Sequence, residues 1–222
     1  MSEVTGRSDE RVDASGALAD TTGENLLVTG DPLVGKRSFV LDVATEAAVA
    51  GRDVLVVTAA KGAGALPRRL REARGLSVVD CSPGTGESFG SVTTVGTPAD
   101  RTGVSMPVSR FLADAEQPVV VVDSLSTFLL YADDAPVFRF LSVLTAHVRR
   151  SGGLGLYTMD RGCHEEQTFR TFAQLFDGDV GLRPVETAPE ATPAAADGGD
   201  AVRPAEVRVR GLADFDGEWT PR

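Results

Sequence analysis

The fold is decided by one stretch, residues 30–38, which reads Gly30-Asp31-Pro32-Leu33-Val34-Gly35-Lys36-Arg37-Ser38. It follows a short apolar run at 26–29 and precedes a segment, 36–50, whose apolar residues recur at helical spacing. A glycine-rich turn between a strand and a helix is the setting of a phosphate-binding loop, because its backbone N–H groups and the helix N-terminus favour anions. We therefore predict a nucleotide-binding loop at 30–38, with Lys36 on the phosphates. The alternative is a glycine-rich turn with a chance lysine.

The loop departs from the usual pattern at its last position, which is Arg37 instead of serine or threonine. That hydroxyl normally coordinates Mg²⁺, and a guanidinium has no lone pair to offer a cation. Ser38 does not simply replace it, because one residue along a helix turns the side chain by about 100°. Magnesium binding is therefore doubtful. Two interpretations of Arg37 stay open: it holds phosphate oxygens in place of the metal, or it faces solvent in a site that has decayed.

A second element is the apolar run Val119-Val120-Val121-Val122, which ends in Asp123. A buried strand of this kind delivers its last side chain to the edge of the sheet where open α/β folds bind ligands. Asp123 is therefore the candidate to hold Mg²⁺ indirectly, by contacting one of the groups bound to the metal. The alternative is that Asp123 caps the following helix.

Strand and helix patterns alternate along the chain, which predicts a mostly parallel sheet with helices on both faces. Residues 1–22 are polar and lack periodicity, so they are predicted to be a disordered tail, and residues 213–222 a second tail. A segment rich in Ala, Pro, Gly and Asp, about 186–203, is predicted to be a flexible loop in a terminal hairpin. The predicted strands are 26–29, 54–58, 77–80, 119–123, 154–159, 179–185 and 206–210, and the predicted helices are 36–50, 66–74, 98–115, 137–148 and 169–176.

The order of motifs resembles the KaiC-like branch of the RecA-type P-loop ATPases over roughly residues 23–212. The resemblance is carried by NLLVTGDPLVGKRSFVLDVATEAAVAGRDVLVVT, VVVVDSLS, GLYTMD, FAQLFDGDVGLR and EVRVRGL. It implies a single RecA-like domain with a C-terminal antiparallel strand pair, ATP as ligand and assembly into a hexameric ring. In hexameric relatives, basic residues of the closing motif point at the γ-phosphate of the neighbouring subunit, which would make Arg208 and Arg210 such fingers. The alternative is two outward arginines on an edge strand.

The family also implies a glutamate after the second core strand, which orients the attacking water, but Ala59, Ala60 and Lys61 stand there. Glu72 lies too far along the next helix to replace it. With the metal hydroxyl and the base both missing, we expect a degenerate protein that binds ATP or another nucleotide, hydrolyses it weakly or not at all, and acts as a regulatory or assembly module. Two alternatives stay open: an active Mg²⁺-dependent ATPase with a non-standard site, and an interaction scaffold without nucleotide.

The amino-acid composition limits the classes of partner that the chain is expected to bind. The chain of 222 residues carries 32 acidic and 22 basic side chains, a formal charge of −10, and only two of the basic residues are lysines. Such a chain is a poor ligand for nucleic acid or anionic membranes. The composition is typical of halophilic archaea, although a GC-rich genome is an alternative. Without a signal sequence or a long apolar run, a cytoplasmic protein is expected. Cys163-His164-Glu165-Glu166 is interpreted as a helix start, not a metal cluster.

Overall fold

The structure is a computed structural model that describes residues 14–83, 89, 91–185 and 205–222. Its strands are β1 (Glu24–Gly30), β2 (Val54–Thr58), β3 (Leu76–Asp80), β4 (Val92–Thr94), β5 (Val119–Asp123), β6 (Leu154–Asp160), β7 (Gly178–Pro184), β8 (Ala205–Arg210) and β9 (Thr220–Pro221). Its helices are α1 (Ala14–Ala19), α2 (Lys36–Val49), α3 (Arg68–Arg71), α4 (Arg101–Asp114), α5 (Leu125–Tyr131), α6 (Asp134–Arg150) and α7 (Glu166–Ala173), with a 3-10 turn at Ala63–Ala65.

The strands form one sheet in the order β4-β3-β2-β5-β6-β1-β7-β8-β9. Pairing is parallel from β4 to β7, and β8 is antiparallel to both β7 and β9. Every residue of β2 and β5 is buried, as expected of continuous apolar strands covered on both faces. The predicted mostly parallel sheet with a C-terminal antiparallel pair is confirmed.

Two apolar layers lie on opposite faces of the sheet. One packs α1, α2 and α3 against the sheet around Phe39 and Val56. The other packs α4, α6 and α7 around Leu141, Tyr157 and Phe172. The prediction of helices on both faces is therefore confirmed. In the part of the chain that the structure describes, no helix is both long and apolar enough to cross a membrane.

The predicted disordered tail at 1–22 is wrong for its last part, because α1 lies within it. Leu18 of α1 is fully buried in the core beside α2. The guanidinium of Arg52 donates hydrogen bonds to the carbonyl oxygens of Ala19 and Thr21, which hold the end of the helix. A six-residue helix is too short to show a periodic pattern, so only its packing reveals it. Residues 1–13 and the predicted loop at 186–203 lie outside the described residues.

The predicted C-terminal tail at 213–222 is also packed. Its strand β9 pairs with β8, and the Trp219 ring lies under two guanidinium groups, at 4.2 Å from Arg183 and 4.5 Å from Arg208. The side chain of Arg222 donates to the carbonyl oxygen of Gly35 at 3.2 Å and pairs with Asp42 at 2.7 Å. The last described residues therefore extend the sheet and contact the start of α2.

Candidate functional site

The candidate site lies where β1, β5 and β6 end. These three neighbouring strands are parallel, so their carboxyl ends share one edge of the sheet. The loop of residues 31–35 follows β1, Asp123 is the last residue of β5, and Asp160 is the last residue of β6. This is the edge at which open α/β sheets bind ligands. The structure thus brings together the predicted loop and Asp123, and it adds a carboxylate that the sequence patterns did not single out.

The loop has the backbone of a glycine-dependent turn. Gly35, immediately before α2, has φ 93°, a conformation that side chains with a Cβ rarely adopt. A Cβ on Gly30 would lie 2.6 Å from the carbonyl oxygen of Leu182, so the close approach of β7 also requires glycine. Between them, Asp31, Pro32 and Leu33 are exposed, and Leu33 is 82% exposed. The loop therefore presents its tip to solvent and its glycines to the neighbouring chain segments.

Lys36 is buried, and all three of its ammonium protons have acceptors within reach. Its Nζ atom lies 2.8 Å from Oδ1 of Asp160, and it donates to the carbonyl oxygens of Gly30 at 3.0 Å and Asp31 at 2.6 Å. An ammonium has three donors. A phosphate oxygen must therefore take the place of one of these acceptors. Asp160, whose side chain is 30% exposed, is the only side-chain acceptor of the three.

Arg37 forms a buried ion pair with Asp123. Its Nε atom lies 2.9 Å from Oδ2 of Asp123, with the two side chains 12% and 7% exposed. Thr158 on β6 donates to Oδ1 of Asp123 at 3.0 Å, and Nη1 of Arg37 donates to the carbonyl oxygen of Ala65 at 3.3 Å. The interpretation of Arg37 as a solvent-facing residue is therefore wrong. The cap of α5 is Ser124, whose side chain accepts from the N–H of Thr127, so Asp123 is not the helix cap.

The donors that remain at the loop suit an anion better than a metal ion. Nη2 of Arg37 and Oγ of Ser38 are buried and have no hydrogen-bond partner among the residues that the structure describes. Both groups can donate hydrogen bonds to phosphate oxygens. A Mg²⁺ ion beside Asp123 would instead meet the positive charge of Arg37, which already pairs with Oδ2. These residues fit a phosphate group and do not fit Mg²⁺.

A small network behind Asp160 was missed by sequence reasoning. The backbone N–H of Asp160 donates to Oγ of Ser126 at 2.9 Å, and the same oxygen lies 2.8 Å from Nε2 of His164. Ser126 belongs to the DSLS motif, but nothing in the spacing of residues 126 and 164 indicates that they meet. The network fixes the backbone of the residue that neutralises Lys36.

The structure also shows what lies after β2, where the resemblance led us to expect a catalytic glutamate. The backbone N–H of Ala59 donates to the carbonyl oxygen of Asp123, so this residue lies at the same edge but brings only a methyl group. The strands on both sides of β2 end in a carboxylate, Asp123 on β5 and Asp80 on β3. Asp80 is 2% exposed and accepts from the N–H of Ala63 at 2.7 Å and from Ser82, so it holds the turn after β2 and the segment after β3. Glu72 pairs with Arg68 at 2.8 Å on the surface.

The candidate fingers lie two strands away from β1. Arg208 is level with Thr29 in the sheet and Arg210 with Leu27. Arg210 forms a two-pronged contact with Asp179, and Arg208 stacks on Trp219. The structure does not bring either guanidinium to the phosphate loop of its own chain, so a role at a neighbouring subunit stays a prediction.

Other candidate groups lie apart from this edge or lack partners for a metal. Among the described residues, no group of three or more His, Cys, Asp or Glu side chains is arranged to hold a metal ion. Cys163 is exposed, and Cys81 is buried, which raises the pKa of its thiol to about 12. The carboxylates of Asp80 and Asp100 add to that shift.

Comparison with known proteins shows the fold. The crystal structure of a KaiC-like protein from the hyperthermophilic archaeon Pyrococcus horikoshii OT3 superposes with a TM-score of 0.60 at 15% identity, covering 90% of this chain and 84% of the other. At that identity the likeness establishes a KaiC-like, RecA-type fold. No curated protein matches the chain.

A family model matches residues 23–182, from the start of β1 almost to the end of β7, and so contains the loop, Asp123 and Asp160. That span is well over half of the chain. The protein therefore belongs to DUF7504, which is described as a family of unknown function.

Proposed function

We propose that this protein is a RecA-like P-loop domain that binds ATP or a related nucleotide without magnesium and acts as a regulatory or assembly module. The observation that carries the proposal is the Arg37–Asp123 ion pair, 2.9 Å long and almost fully buried. It places a fixed cation beside the aspartate where a RecA-type ATPase is expected to hold Mg²⁺. The charge that the metal brings to phosphates is then partly supplied by the guanidinium.

In the proposed complex, the loop's own atoms hold the phosphates. The backbone N–H groups at the start of α2 and the ammonium of Lys36 bind phosphate oxygens, as in other phosphate loops. Nη2 of Arg37 and Oγ of Ser38, which have no partner in the described structure, supply further donors. Asp123 stays paired with Arg37 and orients its guanidinium. Each of these contacts is to an anion, so none requires a metal.

Hydrolysis is expected to be weak. Activation of water by a carboxylate base typically contributes about 10²–10⁴-fold in rate. Ala59 and Ala60 offer no such group, and the carboxylate of Asp80 already accepts hydrogen bonds from Ala63 and Ser82. Asp160 is the carboxylate nearest to Lys36, but it serves as the counter-ion of that lysine. The proposed module therefore reports whether nucleotide is bound instead of turning it over rapidly.

The proposed regulatory role depends on the displacement of Asp160 from Lys36 by the phosphates of the nucleotide. A phosphate that binds Lys36 competes with Asp160, whose backbone is tied through Ser126 to His164 in the segment that leads to α7. Two states follow, one with Lys36 paired internally and one with Lys36 on phosphate. A ligand that prefers the second state shifts the population toward it. The end of β6 and the start of α7 then form the surface at which a partner protein would distinguish the two states.

The test is calorimetric titration of ATP with excess Mg²⁺ or with EDTA, on wild type, Lys36→Ala and Arg37→Thr. We expect equal binding by wild type in both conditions, at least tenfold weaker binding by Lys36→Ala, and Mg²⁺-dependent binding by Arg37→Thr. Arg150→Ala, at the far end of α6, is the control and should bind as wild type. Metal-dependent binding by wild type, with turnover lost in Lys36→Ala, would establish an active ATPase and contradict the proposal.

A second candidate, an interaction scaffold without nucleotide, is favoured by one observation. All three protons of Lys36 already have acceptors within the chain. If this internal pairing is too stable for phosphate to displace, the loop is structural. The same titration distinguishes a scaffold from a nucleotide-binding module, because a scaffold shows no heat of binding with or without Mg²⁺ at millimolar nucleotide.

A further inference from the structure

A groove between α4 and α6 lies on the face of the sheet opposite α2 and apart from the phosphate loop. On α4 it is lined at intervals of about four residues, from Arg101 to Ser109, and on α6 from Pro136 to His147. These spacings select one face of each helix. Pro136 and His147 are eleven steps of about 1.5 Å apart, so the groove extends about 16 Å along α6. The cavity measures about 310 Å³. We call it the α4–α6 groove.

The floor of the α4–α6 groove is apolar. Val108 and Leu144 are buried beneath it and belong to the core on this face, and Phe140 is half-buried beside them. Val143 is 58% exposed on its wall. An apolar body placed here would cover Val143 and the half-buried ring of Phe140, whose carbon atoms now face water.

The rim is basic in a chain that is otherwise acidic. Arg101, Arg139 and His147 line the groove, and its lining includes no carboxylate. Within the part of the chain that the structure describes, none of these three side chains makes an ion pair or hydrogen bond. Other arginines do: Arg149 pairs with Asp177 and Arg210 with Asp179. Arg101 and Arg139 are thus two unpaired arginines beside an apolar groove, in a protein with a net charge of −10.

Two hydroxyl groups add to the unsatisfied donors. Ser105 and Ser109 lie on α4 at the groove, and neither hydroxyl makes a hydrogen bond to any described residue. Helical hydroxyls commonly bond the carbonyl one turn earlier. Ser142 and Thr45 do so here, at 2.8 Å and 2.6 Å. The serines of the groove therefore remain available to a ligand.

We propose that the α4–α6 groove binds a small amphipathic anion, with its apolar body on Val108, Phe140 and Leu144 and its oxyanion on Arg101 and Arg139. Guanidinium groups match the geometry of carboxylates and phosphates. A small molecule is favoured over a protein because the cavity lies within the range of small-molecule sites, about 300–1,000 Å³. A stable protein interface needs about 800 Å² on each side. The proposal does not depend on nucleotide binding.

The experiment uses three probes with the same apolar chain: n-octanoate, n-octyl phosphate and n-octanol. Binding is followed by the methyl NMR resonances of Val108, Val143 and Leu144. We expect both anions to shift these resonances and octanol to bind far more weakly. Arg101→Gln/Arg139→Gln should weaken anion binding at least tenfold, because a charge-assisted contact is lost. Arg110→Gln/Arg150→Gln changes two exposed arginines of the same helices outside the groove and should bind as wild type.

The outcomes separate cleanly. Equal affinity of wild type and Arg101→Gln/Arg139→Gln for octanoate overturns the role of the arginines. Octanol binding as tightly as octanoate overturns the anion requirement. The absence of any shift with all three probes overturns the small-molecule site. An acidic helix of a partner protein would then be the remaining candidate occupant of the groove. Thermal unfolding of both double variants must match wild type, which surface Arg→Gln changes are expected to satisfy.

Discussion

Asp160 controls how much of the charge on Lys36 is available to a ligand. Its Oδ1 atom lies 2.8 Å from Nζ, and it is the only carboxylate among the three acceptors of that ammonium. We predict that Asp160→Asn strengthens ATP binding by about fivefold to tenfold, because a competing carboxylate and its repulsion of phosphate are removed. Titration calorimetry measures the change. Asp114→Asn removes an exposed aspartate at the end of α4 and should have little effect. Unchanged or weaker binding by Asp160→Asn would contradict the prediction.

The Arg37–Asp123 pair makes a prediction about stability. Removing one partner of a buried pair leaves an uncompensated charge, which costs about 3–5 kcal/mol in the free energy of unfolding. Arg37 is 12% exposed, so we expect Asp123→Asn to cost about 3 kcal/mol. The double variant Arg37→Met/Asp123→Asn should recover most of that loss, because no buried charge remains. Urea unfolding measures both variants. A double variant as unstable as the single would show that the ion pair is not the cause.

At the residue scale, sequence reasoning located the groups that a local pattern fixes. Lys36 and Arg37 were predicted as site residues from their places in the loop, and Asp123 from its place at the end of an apolar strand. That Arg37 and Asp123 form an ion pair could not be read from the sequence, because 86 positions separate them. The Ser126–His164 contact is equally non-local. Such pairs depend on the order of strands in the sheet.

At the scale of elements, α1 offers a test of how firmly a short helix is fixed. Leu18 is fully buried between α1 and the core. We predict that Leu18→Ala lowers the free energy of unfolding by about 3 kcal/mol, through lost burial and the cavity that remains. Leu33→Ala is the matched control, because Leu33 is 82% exposed at the tip of the phosphate loop. Urea unfolding compares the two, and equal small losses would mean that α1 does not contribute to the fold in solution.

The two cysteines should differ in reactivity because their elements differ. Cys163 lies in the exposed segment before α7, whereas Cys81 is buried after β3, where burial raises the pKa of its thiol to about 12. The thiolate is the reactive form, so Cys81 stays protonated and unreactive through neutral and mildly alkaline pH. We predict that a thiol reagent at pH 8 labels one cysteine in the folded protein and two after unfolding. Cys163→Ser should show no rapid labelling, and fast reaction in that variant would contradict the buried position of Cys81.

The elements that sequence patterns missed share a physical reason. α1, β4, α5 and β9 are short, so their apolar residues cover too few turns or alternations to reveal a period. Each is stabilised by contacts from elsewhere: α1 by the core, β4 by pairing with β3, α5 by its Ser124 cap, and β9 by pairing with β8. The longer elements β2, β5, α2 and α6 were predicted, because continuous apolar runs and helical spacing are strong signals over five or more residues.

At the scale of the whole molecule, ring assembly is a prediction that Arg210 makes testable. In the single chain its guanidinium is held by Asp179 at the edge of the sheet, away from the chain's own phosphate loop. If it serves a neighbouring subunit, nucleotide should promote assembly and Arg210→Ala should reduce it. Mass measurement in solution with and without ATP tests this. Arg150→Ala is the control, and a monomer at all protein concentrations with ATP bound would remove the finger assignment for both Arg208 and Arg210.

The charge of the whole chain predicts its response to salt. Like charges that are exposed repel one another. At about 0.1 M salt only the repulsion between charges more than about 10 Å apart is screened, whereas near 1 M this distance falls to about 3 Å. With a formal charge of −10, we expect the folded state to gain stability as KCl rises from about 0.1 M to about 2 M, seen as a thermal midpoint that rises by several degrees.

The control for that prediction reduces the charge without touching a described contact. Glu46, Asp114 and Glu116 are exposed, and their side chains make no ion pair or hydrogen bond with any described residue. Changing all three to their amides should raise the midpoint at low salt and reduce its dependence on KCl, because fewer like charges remain to be screened. Equal salt dependence in wild type and variant would mean that salt acts through burial of apolar surface, which added salt also strengthens, and not through charge. The acidic composition would then say nothing about the conditions in which this protein folds.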